Sequence, residues 1–302
     1  MNATNGFTPG HSYFEATARQ RLQQILDAGS FREFLAPETV EVSPHLAALD
    51  LPGAFDDGVI IGAASLGGRR VLVAAQEGRF MGGSVGEIHG AKIVGLLRRA
   101  VAERPDAVLL LVDSGGVRLH EANAGLIAIS EIMRAVLTVR AAGLPVLALV
   151  GGSCGAFGGM GIVAKLCSAI LISEEGRLAL SGPEVIETVM GVEEFDSKDR
   201  ALVWRVTGGK HRYLMGDCAE LVEDDSAAFR LGALEYLDTH GEPEPSLFTL
   251  RAIQQHLSDR MVRFGAYRDG LEVWADLGVA QPQQVPLLDR DSLVALKKGL
   301  PA

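Results

Sequence analysis

Two short apolar runs, each breaking off at a glycine pair, constrain this 302-residue chain more than any other feature. The first is Val108–Val112, followed by Asp113-Ser114-Gly115-Gly116-Val117-Arg118. The second is Val146–Val150, followed by Gly151-Gly152-Ser153-Cys154-Gly155-Ala156. Each run reads as a buried strand that opens into a helix. Backbone N–H groups at such a turn lack a partner inside the helix and point outward together, where they stabilise a negative oxygen. Glycine there lets a ligand approach the backbone. The reading is a pair of oxyanion holes, with Gly115, Gly116, Gly155 and Ala156 as donors to an enolate or tetrahedral oxyanion. The same turns also serve as plain helix starts, and the sequence alone leaves that alternative open.

Around these turns the pattern alternates strands and helices, which points to an α/β, βαβ-type architecture. Strands are expected at Val59–Leu66 and Arg69–Ala75, joined as a hairpin across Gly67-Gly68. Further short strands are expected at Ala169–Ile172 and Leu178–Ser181. Helical spacing marks Tyr13–Ala28, Ile88–Glu103, Ala122–Ala142, Phe157–Leu166, Asp196–Val206 and Ser226–Thr239. In the Ala122–Ala142 helix, Ile129, Ile132, Met133, Val136 and Leu137 form the apolar side. Pro183 opens a helix running through Glu187. Within Phe157–Leu166, Gly158, Gly159 and Gly161 each cost a helix about 1 kcal/mol, which implies close backbone contact with a neighbour. The organisation is a polar N-terminal stretch over 1–54, a main domain over 55–240, and a C-terminal extension over 241–302. The extension opens with a linker at Gly241-Glu-Pro-Glu-Pro and carries short helices at Ser246–His256 and Ser292–Lys297.

A net charge of −10 disfavours a nucleic-acid or anionic-membrane surface. No uncharged apolar stretch approaches the ~20 residues a membrane span needs. Cys154, Cys167 and Cys218 are scattered, with neither a disulfide framework nor zinc spacing, so they read as reduced thiols in a cytoplasmic protein. No histidine pair has ligand spacing, and no metal is expected.

Other candidates are weaker. Ser114 and Ser153 lack the spacing of a nucleophile elbow. Cys154 reads as a small buried filler. Arg118 suits a carboxylate or phosphate, or equally a structural ion pair. His120-Glu121 either faces the site or begins a solvated helix. The loop Gly82-Gly83-Ser84-Val85-Gly86 lacks both dinucleotide and P-loop spacing, and shapes a ligand cleft instead.

Four ordered blocks then resemble one family. They are Phe80-Met81-Gly82-Gly83-Ser84-Val85-Gly86, Ser114-Gly115-Gly116-Val117-Arg118-Leu119-His120-Glu121, Cys154-Gly155-Ala156-Phe157-Gly158-Gly159, and Ser181-Gly182-Pro183-Glu184-Val185-Ile186-Glu187. Their order and spacing resemble the carboxyltransferase branch of the crotonase superfamily, and within it the β subunits of biotin-independent malonate decarboxylases. The related acetyl-CoA carboxylase β subunits carry an N-terminal zinc ribbon, whereas residues 1–50 here hold no cysteine. Val117 stands where the pattern has alanine, His120 where it has glutamine, and Gly155-Ala156 where it has a glycine pair.

The resemblance implies a crotonase-like (ClpP/crotonase) superhelix of ββα units, a single domain with N-terminal helical and C-terminal extensions. It implies decarboxylation of malonyl-S-acyl carrier protein to acetyl-S-acyl carrier protein. The substrate rides on the CoA-like phosphopantetheine group of the carrier, with no covalently bound cofactor, no biotin and no metal. Expected partners are a homologous γ subunit, the acyl carrier protein and an acyl-carrier transferase subunit. Gly82, Gly83, Ser84 and Arg118 are the expected substrate-binding residues. Two alternatives stand beside this: a β-type subunit of a biotin-dependent acyl-CoA carboxyltransferase, and a non-catalytic scaffold for a partner carboxyltransferase subunit.

Overall fold

A computed structural model of the chain describes residues 11–240 and 246–300. The expected linker at 241–245 lies outside the described residues. Seven strands form one sheet: β1 (Arg32–Phe34), β2 (Val59–Leu66), β3 (Arg69–Gln76), β4 (Ala107–Val112), β5 (Val146–Val150), β6 (Ala169–Ser173) and β7 (Glu220–Val222). They lie side by side in chain order. The first three pair antiparallel and β3 to β7 pair parallel. The β2–β3 hairpin turns on Gly67 (φ 58°) and Gly68 (φ 80°), the positive-φ pair that a two-residue type I′ turn requires.

The helices are α1 (Ala18–Ile25), α2 (Pro44–Ala48), α3 (Glu87–Glu103), α4 (Asn123–Ala141), α5 (Gly158–Leu166), α6 (Pro183–Met190), α7 (Arg200–Thr207), α8 (Gly209–Leu214), α9 (Ser226–Thr239), α10 (Leu247–Phe264), α11 (Gly270–Asp276) and α12 (Arg290–Gly299). The central strands β4 and β5 are apolar throughout because both faces are covered. Val108, Leu110 and Val112 point into a core shared with α3, α4 and α5. Ala107, Leu109 and Leu111 point into a second core shared with α1 and α9. Strand β5 divides the same way, with Val146, Ala148 and Val150 on one side and Leu147 and Leu149 on the other.

The expected ββα units are present in a reduced form. Each long strand is followed by a crossing segment that pairs through single residues: Val85 with Val117, Ser114 with Ala156, Ala156 with Leu178, and Arg177 with Gly208. Leu178–Ser181 is therefore not a strand. Its bonds go to the ends of helices and to the second turn: Leu178 N–H to Thr207 O, Ala179 N–H to Ala156 O, and Leu180 O from Gly158 N–H.

Other corrections are local. Helix α1 starts at Ala18, where Thr17 and Gln20 form a capping box; Tyr13 instead packs on Phe229, with ring centroids 4.1 Å apart. In α4, Leu137 is exposed rather than on the apolar face. The N-terminal stretch adds strand β1 and buries Tyr13, Leu22 and Ile25. Helices α10 and α12 run longer than expected, and α11 comes between them. Trp274, Val279, Val285 and Leu293 from this tail join the core under α3, α4 and α5, while Tyr13, Leu22 and Ile25 join the one on the other face.

Two buried histidines make the fold acid-sensitive. Burial, reinforced by Arg118, lowers His89 from 6.5 to about 3, and burial with Arg212 does the same to His211. Between those values the unfolded chain binds protons that the native chain refuses, so stability falls as pH drops from about 6.5 towards 3. The slope approaches about 1.4 kcal/mol per pH unit for each histidine. Urea unfolding at pH 7 and pH 5 is expected to show a clear loss of stability at pH 5, above the range where most carboxylates titrate. Equal midpoints would contradict the burial of neutral imidazoles.

Candidate active site

The carboxyl ends of β4 and β5 are neighbouring positions in a parallel sheet, where open α/β folds place ligands. The two glycine-rich turns meet there, in a lattice of backbone hydrogen bonds. Ser114 N–H donates to Gly155 O (2.7 Å) and Phe157 N–H to Ser114 O (2.9 Å). This lattice consumes the donors expected from the sequence. Gly115 N–H donates to Gly82 O (2.8 Å), Gly155 N–H to Gly152 O (3.0 Å), and Ala156 N–H to Arg177 O (2.8 Å). Gly116 N–H is taken by Ser114 Oγ (3.1 Å). An amide already bonded inside the protein is a poor donor to a ligand, so the assignment of Gly115, Gly116, Gly155 and Ala156 as oxyanion donors is corrected.

At the tips of the two turns, Val117 N–H and Gly159 N–H have no acceptor among the described residues, and neither do Gly152 N–H and Ser153 N–H nearer the end of β5. Val117 and Gly159 are half-buried, within reach of solvent. They flank one contact. A Cβ built on Gly116 would lie 3.2 Å from the Gly158 Cα, and one on Gly158 would lie 3.1 Å from the Gly116 Cα and 3.9 Å from the Val117 nitrogen. Gly116 (φ 121°) and Gly158 (φ 54°) are also both in left-handed conformations. Glycine is required twice over at each position, by conformation and by contact. The next residue in each segment carries the unpaired N–H. Gly159 lies in the first turn of α5, where the helix dipole adds positive potential.

Helix α5 also pays for its glycines as expected. A side chain on Gly159 would meet Ile129, 2.7 Å away, and one on Gly161 would meet Ala179 O at 2.6 Å.

The expected substrate-binding residues divide. Arg118 is a structural clamp: its side chain is fully buried and its Nη1 contacts Asp57 Oδ1 (2.9 Å) and Glu121 Oε1 (2.7 Å). Its Nη2 donates to Ser84 O (3.1 Å). The substrate-carboxylate role for Arg118 is thereby corrected. Glu121 is buried too, accepting from Glu87 N–H (2.7 Å). Burial pushes its carboxyl up, but that N–H and Arg118 outweigh burial and hold it below the ordinary range. His120 is exposed, so neither reading of His120-Glu121 describes Glu121. Gly83 packs backbone on backbone, since a Cβ there would fall 1.8 Å from Asp113 O. Ser84 Oγ donates to Met81 O (2.7 Å). Gly82 alone of that loop is exposed at the rim.

Asp113 is a residue the sequence did not single out. It accepts from Arg21 Nη1 (2.8 Å) and from Cys154 N–H (2.7 Å), tying both turns to the N-terminal helix. The Cys154 thiol is pushed up by burial and by Asp113, which suits a filler and not a nucleophile. Among the described residues, no three His, Cys, Asp or Glu side chains gather as a metal-ligand group. No described helix is long and apolar enough to cross a membrane.

Residues 10–257 match the carboxyl transferase domain family. The chain belongs to that family, and its fold is crotonase-like. It is similar to the malonyl-S-ACP:biotin-protein carboxyltransferase MADC of Malonomonas rubra, with 40% identity over 96% of this chain and 97% of the relative. Among solved structures it is similar to a Pseudomonas malonate decarboxylase hetero-tetramer in complex with malonate, at 41% identity and a TM-score of 0.76, covering 82% of this chain and 92% of that one. It is also similar to the Pseudomonas MdcD–MdcE hetero-dimer, at 38% identity and a TM-score of 0.65, covering 84% of this chain and 96% of that one.

Replacing Arg118 with methionine strands two buried carboxylates and is expected to cost about 3–5 kcal/mol of stability. Thermal unfolding measures it. A variant as stable as the parent but with a raised KM would return Arg118 to the substrate.

Proposed function

We propose that this family member is the subunit of a malonate decarboxylase-type complex that removes CO₂ from malonyl-S-acyl carrier protein. The observation that carries the reading is that Val117 N–H and Gly159 N–H, the amides following the Gly116–Gly158 backbone contact beyond β4 and β5, have no acceptor among the described residues. In the reaction the bond between the α-carbon and the carboxylate breaks. Its electron pair moves onto the thioester oxygen, CO₂ departs, and a proton on the α-carbon completes acetyl thioester. Fixed N–H donors bind the oxygen more strongly once it carries that charge, so they lower the barrier rather than merely bind substrate. Gly82, exposed at the rim, lies where the carrier's phosphopantetheine-type arm would pass.

Exposed apolar side chains beside the amides support a covering subunit. Leu119 is 83% exposed two residues after Val117, and Leu180, whose carbonyl accepts from Gly158 N–H, is 67% exposed. Val185 and Val189 of α6 extend the patch. Contiguous apolar surface of this kind marks a protein interface. The partner fitted to it is a homologous carboxyltransferase subunit, in keeping with the hetero-dimeric Pseudomonas relative. The acyl carrier protein delivers the substrate, and an acyl-carrier transferase subunit loads it. The three cysteines are free thiols, in keeping with a cytoplasmic setting.

One relative's name favours a second reading. The Malonomonas protein is a carboxyltransferase to a biotin protein, and the same hole would then serve transfer of the carboxyl group to biotin. Activity that requires a biotin carrier and is stopped by avidin selects that reading over release of CO₂.

Replacing the Gly159 amide by an ester, through incorporation of an α-hydroxy acid, removes the donor without adding an atom. In the reconstituted complex kcat is expected to fall about 10²–10³-fold with KM little changed. Unchanged turnover would reject Gly159 as a donor.

A further inference from the structure

The reaction steps above use neither member of one buried ion pair beside the second turn. Asp113, the residue after β4, is 3% exposed and Arg21 of α1 is 1% exposed. Their carboxylate and guanidinium meet at 2.8 Å. A buried ion pair adds little stability over a well-packed apolar pair, because both charges lose their water. What a charged acceptor does add is a shorter, stronger hydrogen bond to any further donor it holds. Here that donor is the Cys154 N–H, 2.7 Å from Asp113 Oδ1.

The carboxylate sits in a socket that leaves it no freedom. A Cβ on Gly78 would lie 2.6 Å from Asp113 Oδ2, and one on Gly152 would lie 2.2 Å from its Cγ. Arg21 is fixed in turn: its Nε donates to Tyr13 O (2.9 Å), its Nη2 to Phe14 O (3.4 Å), and its guanidinium lies over the Tyr13 ring, 4.6 Å from the centroid. From Cys154 the fixation runs on along the second turn. Gly155 O accepts from Ser114 N–H (2.7 Å), and Phe157 N–H donates to Ser114 O (2.9 Å). Two successive residues, Asp113 and Ser114, thus hold Cys154, Gly155 and Phe157. Gly159, with its unbonded amide, follows two residues later.

We propose that Asp113, braced by Arg21, is a positioning residue for the Gly159 amide. It touches no substrate. Its charge fixes the direction of the Cys154 N–H, and with it the course of the second turn into α5. The inference rests on the reading of Gly159 N–H as a donor to the oxygen that gains charge. A displaced donor loses more against that charged oxygen than against the neutral thioester. In such sites a misplacement of about 1 Å costs about 10²-fold in rate. A pair that served stability alone would weaken every ligand alike.

Asp113→Asn keeps the shape of the side chain and removes its charge. In the reconstituted complex two pantetheine-linked ligands are compared: a neutral acetyl thioester, and a nitronate whose charged oxygen stands in for the enolate oxygen. The parent is expected to prefer the nitronate. Asp113→Asn should cut that preference at least about tenfold and lower kcat by a similar factor, with KM and thioester binding within about twofold of the parent. Arg21→Met, which removes the brace, should act the same way. Circular dichroism confirms folding. Replacing the Cys154 amide by an ester cuts the same link and leaves the ion pair whole, so it carries the test where a side-chain variant fails to fold. A folded variant that keeps the parent's preference and kcat, or that loses affinity for both ligands alike, overturns the inference. A parent with no preference for the nitronate would instead overturn the reading of the amides themselves.

Discussion

The contact between the backbones of Gly116 and Gly158 is the constraint on which the rest of the site depends. Two chain segments from different β-α connections press together there with no side chain between them. The residues that follow the contact, Val117 and Gly159, carry unbonded amides, while Gly115, Gly116, Gly155, Ala156 and Gly158 N–H are bonded inward. Preorganised donors cost no reorganisation when charge arrives. On the proposed reading, the lattice of internal bonds holds in place the two segments that carry Val117 N–H and Gly159 N–H.

That lattice is in turn held by buried charge. Arg118 gathers Asp57, Glu121 and Ser84 O, binding the residue after Val117 to the start of α3 and to the loop before β2. Asp113 does the same from the other side, joining the end of β4 to Arg21 of α1 and to Cys154. Glycines at 78 and 152 leave room for its carboxylate, since a Cβ at either would lie within 2.6 Å of it. Such pairs cost desolvation and are justified by the geometry they enforce.

What local pattern governs was legible in the chain. The hairpin at Gly67-Gly68, the buried strands and the bounds of the Ser226–Thr239 helix follow from turn chemistry, uniform apolar runs and caps, and the structure has them there. The glycines clustered at two strand ends marked the turns that the structure brings together at the carboxyl ends of β4 and β5. The identity of the donors was not legible. Which amide is free depends on bonds between loops far apart in sequence, such as Gly115 to Gly82 or Ala156 to Arg177. No single segment records those bonds. The glycines inside the α5 pattern were the available signal, since their helix cost pointed to a close contact. Of the two readings of Arg118, the choice of the ion pair over a substrate role was hidden for a similar reason: its partner Asp57 lies sixty-one residues earlier. The polar stretch before residue 55 and the tail hid core residues such as Tyr13 and Trp274 because each contributes only a few apolar anchors to a core built elsewhere.

The central claim is that the oxygen gaining charge sits against Val117 N–H and Gly159 N–H. A crystal structure of the chain, assembled with its homologous subunit and carrying an acetyl-enolate mimic on a pantetheine arm, tests it most directly. The account predicts the mimic's oxygen within about 3 Å of both nitrogens, with the inward bonds of Gly115, Gly155 and Ala156 unchanged. An oxygen held by other amides, or Val117 and Gly159 bonded to protein carbonyls in that complex, would contradict it.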